Sequence, residues 1–282
     1  MRAMFGTAGN PDRFQAEGFK ASKDMPLWLK GKGLDAYEYQ CGKGVSVGEA
    51  TARAIGEKAA QAGIVLSLHA PYFVNPANPD PDSQEKTAGY VLAACRVARW
   101  MGAGRVVIHT GALQKRTRAD ALATARESFK MLRRRCDDEG YGDILLCPET
   151  MGKINQLGDL DEVLALCSVD NRITPCIDFG HLYARSLGGV VTTADYEAIL
   201  DKMAAALGDE RARAFHSHFS RIAYTKGGEK CHLTFADTEF GPPHQPLLAL
   251  LRQRGLTPTI ICESAGTQAE DAAVLAASYR NG

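Results

Sequence analysis

The feature that most constrains this chain is an alternation running from end to end: eight short apolar runs, each followed by a longer amphipathic stretch. The runs fall at 2–6, 35–40, 64–69, 105–109, 143–149, 173–178, 212–219 and 257–263. Helix-like stretches follow at 47–62, 83–101, 117–139, 159–167, 193–207, 246–254 and 267–280, with Ser83 and Glu85 forming a helix-start pattern. Runs this short are strand-sized, and strands alternating with helices make parallel sheets. Eight such units in a chain of 282 residues predict an α/β fold, a single (β/α)8 TIM barrel occupying 1–282 as one domain. A doubly wound open sheet is the alternative that satisfies the same periodicity. In a barrel the functional residues gather on the face formed by the C-terminal ends of the strands. The Pro-rich stretch 75–82 follows the third run, so it is expected on that face.

Composition narrows the function classes. Lys and Arg number 33 and Asp and Glu number 33, giving a formal net charge of zero. Wide nonspecific wrapping of nucleic acid draws on a basic surface, so that class is disfavoured. The basic clusters 115–118 and 133–135 read as solvated helix faces. Eight cysteines occur without a C-x-x-C pair, and Cys147, Cys176 and Cys262 sit inside apolar runs as small hydrophobes. This usage fits a reducing compartment, and a cytoplasmic location is expected. The first residues lack the apolar core of a signal peptide, and no apolar run approaches the ~20 residues of a membrane span. Neither a membrane nor an obligate protein partner is inferred. Dinucleotide and Walker fingerprints are missing, and Gly227-Gly228 marks a turn.

Where each apolar run stops, a metal-competent side chain follows. The runs lead into His69, His109, Glu149, Asp178 (with His181 one helical turn on), His218 and Glu263. One His at a strand end is usually a hydrogen-bonded structural residue. Five of the seven histidines belong to the set once His232 is counted, and a barrel would bring them to one mouth. Imidazole with carboxylate suits zinc, manganese or ferrous iron rather than calcium. Glu149 has two oxygens and can bridge two ions, which an imidazole does not ordinarily do. A two-metal centre of that kind can activate water and clamp a phosphate. His216 lies two residues before His218 and shares its face, so it is either a competing ligand or a group that orients one. His244, after Pro242-Pro243, reads as surface loop.

The ordered motifs His69-Ala-Pro-Tyr72, His109-Thr-Gly, Pro148-Glu149-Thr150, Asp178-Phe-Gly-His181, His218-Phe-Ser, Cys231-His232 and Glu263-Ser resemble the endonuclease IV family of apurinic/apyrimidinic endonucleases. The resemblance spans about 64–264. It implies a zinc-dependent TIM-barrel hydrolase that cuts DNA 5′ to abasic sites with two or three ions and a metal-bridging hydroxide. By that resemblance His69 and His109 hold a first ion and Glu149 bridges it to a second. Asp178, His218 and Glu263 complete the second, and His181 and His232 hold a third. Glu149 and Glu263 are then the catalytic carboxylates, and Tyr72 helps hold the DNA out of its regular stack; apart from the resemblance, Lys230 is a substrate-binding candidate as a loop lysine able to meet phosphate. Two departures stand out. Lys230 occupies the position of the family's third-ion Asp, with Glu229 one residue earlier as the substitute. The segment Gln40-Cys41-Gly42-Lys43-Gly44 lacks the family's Arg- and aromatic-bearing DNA-intercalating loop.

Two other readings use part of the same set. A sugar isomerase or ketose 3-epimerase of the xylose-isomerase-like barrels needs one divalent ion, with Glu149 and Glu263 exchanging a proton beside the carbonyl. It leaves His69, His109 and His232 without a role. A noncatalytic binding barrel leaves the whole ligand set without one.

Overall fold

The computed structural model describes residues 2–282; Met1 lies outside the described residues. Ten strands occur: β1 Met4–Ala8, β2 Ala36–Gln40, β3 Val65–His69, β4 Arg105–His109, β5 Leu145–Glu149, β6 Cys176–Asp178, β7 His216–Phe219, β8 Ile222–Thr225, β9 Gly228–His232 and β10 Thr259–Cys262. Eight close into a parallel barrel in the order β1-β10-β7-β6-β5-β4-β3-β2, and β8 with β9 forms a separate antiparallel hairpin. The barrel expectation therefore holds and the open-sheet alternative fails. All eight expected strands are present; β4 matches its expected bounds, β1 is displaced by two residues toward the C-terminus, and the other six are trimmed by one to four residues where pairing begins late or ends early. The run 212–219 loses its start to a helical turn at Asp209–Arg213, leaving β7 to begin at His216.

Period-two alternation divides each barrel strand between two packing jobs. Tyr37 is buried outward against the surrounding helices, whereas Ala36 and Glu38 belong to the barrel interior. Interior apolar positions carry small side chains, with Ala8, Ala36 and Ile261 in one cluster and Val107, Cys147 and Cys176 in another. Small interior residues leave room for polar groups above them. All eight cysteines are free, and only Cys231 is exposed.

Helix ends follow local chemistry. The helix expected from Ser83 begins at Pro81, because the Asp80 side chain accepts from the Ser83 N–H and sets Pro81 in the first turn. The stretch expected from Val47 starts at Glu49, since Gly48 is extended and serves as N-cap. Thr193–Leu207 matches its expected bounds and opens with a capping box between Thr192 and Asp195. Short helices at Asp12–Ala16, Met25–Gly31 and Phe179–Arg185 were not expected, because each is too short to display helical periodicity. His244 also departs from expectation: it is buried, with its ring stacked 5.1 Å from that of Phe235. Among the described residues no helix is long and apolar enough to cross a membrane.

The hairpin is held over the barrel mouth by two glycines. Gly228, at φ +88°, lies against the loop after β5, where a Cβ would come 2.3 Å from the Gly152 carbonyl oxygen. The Glu229 N–H donates to that same oxygen at 3.1 Å. A Cβ on Gly152 would lie 2.6 Å from Glu229 Cβ and 2.9 Å from His181 Cδ2. Only glycine permits this approach, and the approach delivers Glu229 to the site.

Candidate metal centre

The strand register sets the site. His69, His109, Glu149 and Asp178 are the last residues of β3, β4, β5 and β6, His218 is the third residue of β7, and Glu263 follows β10. His109 pairs in register with Glu149 and Asp178 with His218, so the side chains sit at similar depths. Four groups of donor atoms result, each within 4.8 Å of one another: three at the mouth, His69, His109 and Glu149; Glu149, Asp178, His218 and Glu263; and His181, Glu229 and His232; and a fully buried one beneath, Cys176, His216 and His218. Glu149 belongs to the first two groups. Its Oε2 lies 3.3 Å from His69 Nε2 and 3.2 Å from His109 Nε2. Its Oε1 lies 3.0 Å from His218 Nδ1 and 3.4 Å from His181 Nδ1.

Hydrogen bonds assign the ring nitrogens. His69 Nδ1 donates to the Ala70 carbonyl at 2.7 Å, His109 Nδ1 to the Tyr72 carbonyl at 3.0 Å, and His181 Nδ1 to the Thr150 carbonyl at 2.8 Å. Each places its Nε2 toward the cluster. His218 runs the other way, its Nε2 donating to Glu38 Oε1 at 2.9 Å and its Nδ1 facing Glu149 and Glu263. An imidazole whose far N–H is anchored on an oxygen is the usual arrangement for a metal ligand.

The electrostatics run the same way. Burial opposes ionisation of Glu149, but the His218 charge and hydrogen bonds from His109, His181 and His218 outweigh it and hold the carboxyl well below its usual range. Burial likewise opposes charging of His69, yet Glu149 raises it to about 8. His181 and His218 rise well above the ordinary imidazole value against the same burial, with Asp178 the largest raising influence on His181 and Cys176 and Glu263 the first for His218. Burial lowers His216 to about 4, although Glu38 pulls the other way. The protein thus concentrates carboxylates that need positive charge, and it supplies imidazoles that could give that place to ions.

The donor set fits a borderline divalent cation. Nitrogen and oxygen donors converge in threes and fours, the numbers zinc uses. Asp178 Oδ1 is occupied in accepting the His181 N–H at 2.7 Å, whereas its buried Oδ2 has no hydrogen-bond partner. That oxygen has only the His181 ring edge beside it, Nδ1 at 3.3 Å, and a buried carboxylate oxygen without a hydrogen bond is costly unless a cation meets it.

Of the residues singled out in the sequence, the structure brings His69, His109, Glu149, Asp178, His181, His218, Glu229, His232 and Glu263 together. The third group closes through Glu229, 3.5 Å from His181 Nε2 and 3.9 Å from His232 Nε2, rather than through position 230. Lys230 is exposed and does not line the cavity of about 330 Å³ over the site. His216 belongs to the buried group with Cys176 and His218, and its Nε2 is taken by Glu38 Oε2 at 2.7 Å. Tyr72 lines the cavity with its ring 59% exposed, and Phe73 and Tyr90 continue an aromatic ridge from it at centroid spacings of 5.6 and 4.9 Å. A larger, more open depression of about 510 Å³ near Gln84 and Ser128 carries no comparable His and carboxylate group.

Two contributions were missed. Lys153 and Gln156, from the loop after β5, line the cavity, and nothing in a loop sequence states which way it folds. Glu38 is fully buried in the middle of β2 and touches two histidines. Its signal was present: an acidic residue on the inward phase of Ala36-Tyr37-Glu38-Tyr39-Gln40.

Known proteins show matching similarity. The family described as xylose isomerase-like TIM barrel matches residues 27–280. An uncharacterized protein of Methanocaldococcus jannaschii is 33% identical over 93% of this chain and 91% of its own length. A probable endonuclease 4 of Mycoplasma pneumoniae is 28% identical over 42% of this chain, which spans 41% of that relative's length. Among solved structures, endonuclease IV from Thermus thermophilus superposes with a TM-score of 0.69 at 17% identity, covering 100% of both chains. A D-psicose 3-epimerase superposes with a TM-score of 0.64 at 16% identity, covering 96% of this chain and 89% of that one. At such identities the structural matches speak for the fold alone.

Proposed function

The chain belongs to the xylose isomerase-like TIM barrel family, and from that premise we propose that it is a metal-dependent phosphodiester hydrolase of the endonuclease IV type, cleaving DNA 5′ to abasic sites. The observation that carries this reading is the division of Glu149, one oxygen toward His69 and His109 and the other toward His218. A one-ion isomerase has no use for that second face. His69, His109 and Glu149 would hold one zinc-like ion, Glu149, Asp178, His218 and Glu263 a second, and His181, Glu229 and His232 a third. When bound, such ions supply Lewis acidity to a phosphoryl oxygen and to water.

The chain's own residues set the remaining terms. Glu149 and Glu263 both place negative charge against the Nδ1 edge of His218. Lys153 adds a cation at the cavity lining, suited to a phosphate. The exposed ring of Tyr72 gives a nucleobase or a displaced sugar a stacking surface beside the site. All three groups draw on strands of one barrel or a hairpin docked on it, which supports treating 1–282 as a single domain. Eight free cysteines support a reducing, cytoplasmic setting.

The test is direct. Zinc-loaded protein is incubated with an oligonucleotide duplex bearing one abasic site; nicking 5′ to the lesion, lost on chelation and restored by zinc, is expected. One observation favours the second reading, a ketose 3-epimerase: Glu149, Asp178, His218 and Glu263 form a complete one-ion set by themselves. Interconversion of a ketose and its 3-epimer, with no nicking, would replace the first reading by the second.

A further inference from the structure

Of the five imidazoles in the three groups at the mouth, His69, His109 and His181 are anchored on backbone carbonyls, and His232 Nδ1 meets the Ser220 hydroxyl at 2.8 Å. A backbone carbonyl is fixed by the fold and cannot be changed by mutation. His218 alone is anchored on a carboxylate, that of Glu38, reaching from β2 across the barrel interior to β7. That carboxylate is saturated: Oε1 accepts from His218 Nε2 at 2.9 Å and Gln40 Nε2 at 3.1 Å, and Oε2 from His216 Nε2 at 2.7 Å and Ser67 Oγ at 2.8 Å. Nothing in the resemblance or the motif set assigned it a role.

We propose that Glu38 is a positioning residue for the metal centre: it holds the proton of His218 on Nε2, so that the Nδ1 lone pair faces Glu149 and Glu263. The inference rests on the reading of Glu149, Asp178, His218 and Glu263 as metal ligands, and it adds the group that prepares one of them. The physical argument is one of donor counting. A neutral imidazole has one N–H and one lone pair, and a carboxylate only accepts; both ring nitrogens of His218 face carboxylates, Nε2 at Glu38 and Nδ1 at Glu149 3.0 Å away, so an ion held between Nδ1 and Glu149 leaves the hydrogen on Nε2. The same carboxylate fixes His216 in the mirror role, and Ser67 fixes the carboxylate, so rotation of His218 about its ring axis would break a buried network at several points. Carboxylate partners of ligating histidines commonly change metal affinity by about 10–100-fold when removed.

Two measurements test this. In zinc-loaded wild-type protein, long-range proton–nitrogen spectra of the histidine rings should show His218 protonated on Nε2 and His69, His109 and His181 protonated on Nδ1. A His218 proton on Nδ1 overturns the proposal whatever any variant does. Glu38→Gln then reduces two acceptor oxygens to one, so His216 and His218 can no longer both donate to them. Cobalt(II) absorption titration should show binding at the Glu149–Asp178–His218–Glu263 group weakened about 10–100-fold, with binding at His181, Glu229 and His232 unchanged. Ser67→Ala, which keeps the carboxylate, should weaken binding by less than about threefold on the same scale. Unaltered cobalt affinity and spectrum in Glu38→Gln defeat the role of Glu38 while leaving the metal reading in place. A wild-type protein that binds no cobalt at that group defeats the metal reading, and this proposal with it.

Discussion

The floor and the rim of the cavity use the same residue types at different tolerances. On the floor, Glu38, His216, His218 and Ser67 are fully or almost fully buried, and the three contacts that Glu38 makes with the others run from 2.7 to 2.9 Å. At the rim, Glu229 and His232 are part-exposed and stand 3.9 Å apart, with Glu229 3.5 Å from His181. The floor belongs to barrel strands whose register is fixed by neighbours on both sides, whereas the rim hangs on a two-stranded hairpin docked through Gly152 and Gly228. The floor is organised by protein contacts alone, whereas on the proposed metal reading the rim is the part that an ion would draw together.

The largest effect should come from the residue common to the two inner groups. Glu149→Gln should abolish binding of two ions together and lower cleavage of abasic DNA by about 10³-fold or more, a loss of several kcal/mol in transition-state stabilisation. Metal stoichiometry alongside turnover checks it; loss of one ion only would mean that the floor is not shared. Glu229→Ala should act at the rim, removing one ion, slowing turnover by about 10–100-fold and leaving the other two ions bound. Loss of all ions in that variant would erase the distinction between the regions.

A pH titration of the chelated protein sharpens the same contrast. His216 is lowered from 6.5 to about 4, so the unfolded chain binds the extra proton between those values and stability rises with pH across that interval. His69 is raised from 6.5 to about 8, so its contribution is full below 6.5 and is lost as pH rises through 8. The melting temperature of the metal-free protein should therefore climb from pH 4 to 6.5 and fall from 6.5 to 8, as followed by circular dichroism. In His216→Asn the acidic limb should flatten and the alkaline limb should persist. The smallest effect is expected at Lys230→Ala, whose side chain is exposed outside the cavity: stability within about 0.5 kcal/mol of wild type and turnover within about twofold.

The inner groups were legible in sequence because β3, β4, β5 and β6 each end on a ligand-competent residue, and a barrel converts strand ends into neighbours. Position 229 was legible only as a substitute, because the family spacing falls on Lys230 and Glu229 lies one residue earlier. The hairpin carries a register irregularity between Ala223 and Tyr224, and on a strand a shift of one residue exchanges the two faces. Glu38 escaped because attention to strand ends passes over a polar residue in mid-strand. His244 escaped because a Pro-Pro flank suggests a surface loop, whereas its ring packs between Phe219 and Phe235.

The most direct test of the clustered-cation claim is anomalous X-ray scattering at the zinc edge from zinc-soaked crystals. The account predicts two peaks flanking Glu149, one beside His69 and His109 and one beside Asp178, His218 and Glu263, with a third between His181, Glu229 and His232. A single peak among Glu149, Asp178, His218 and Glu263, or none at all, would contradict it.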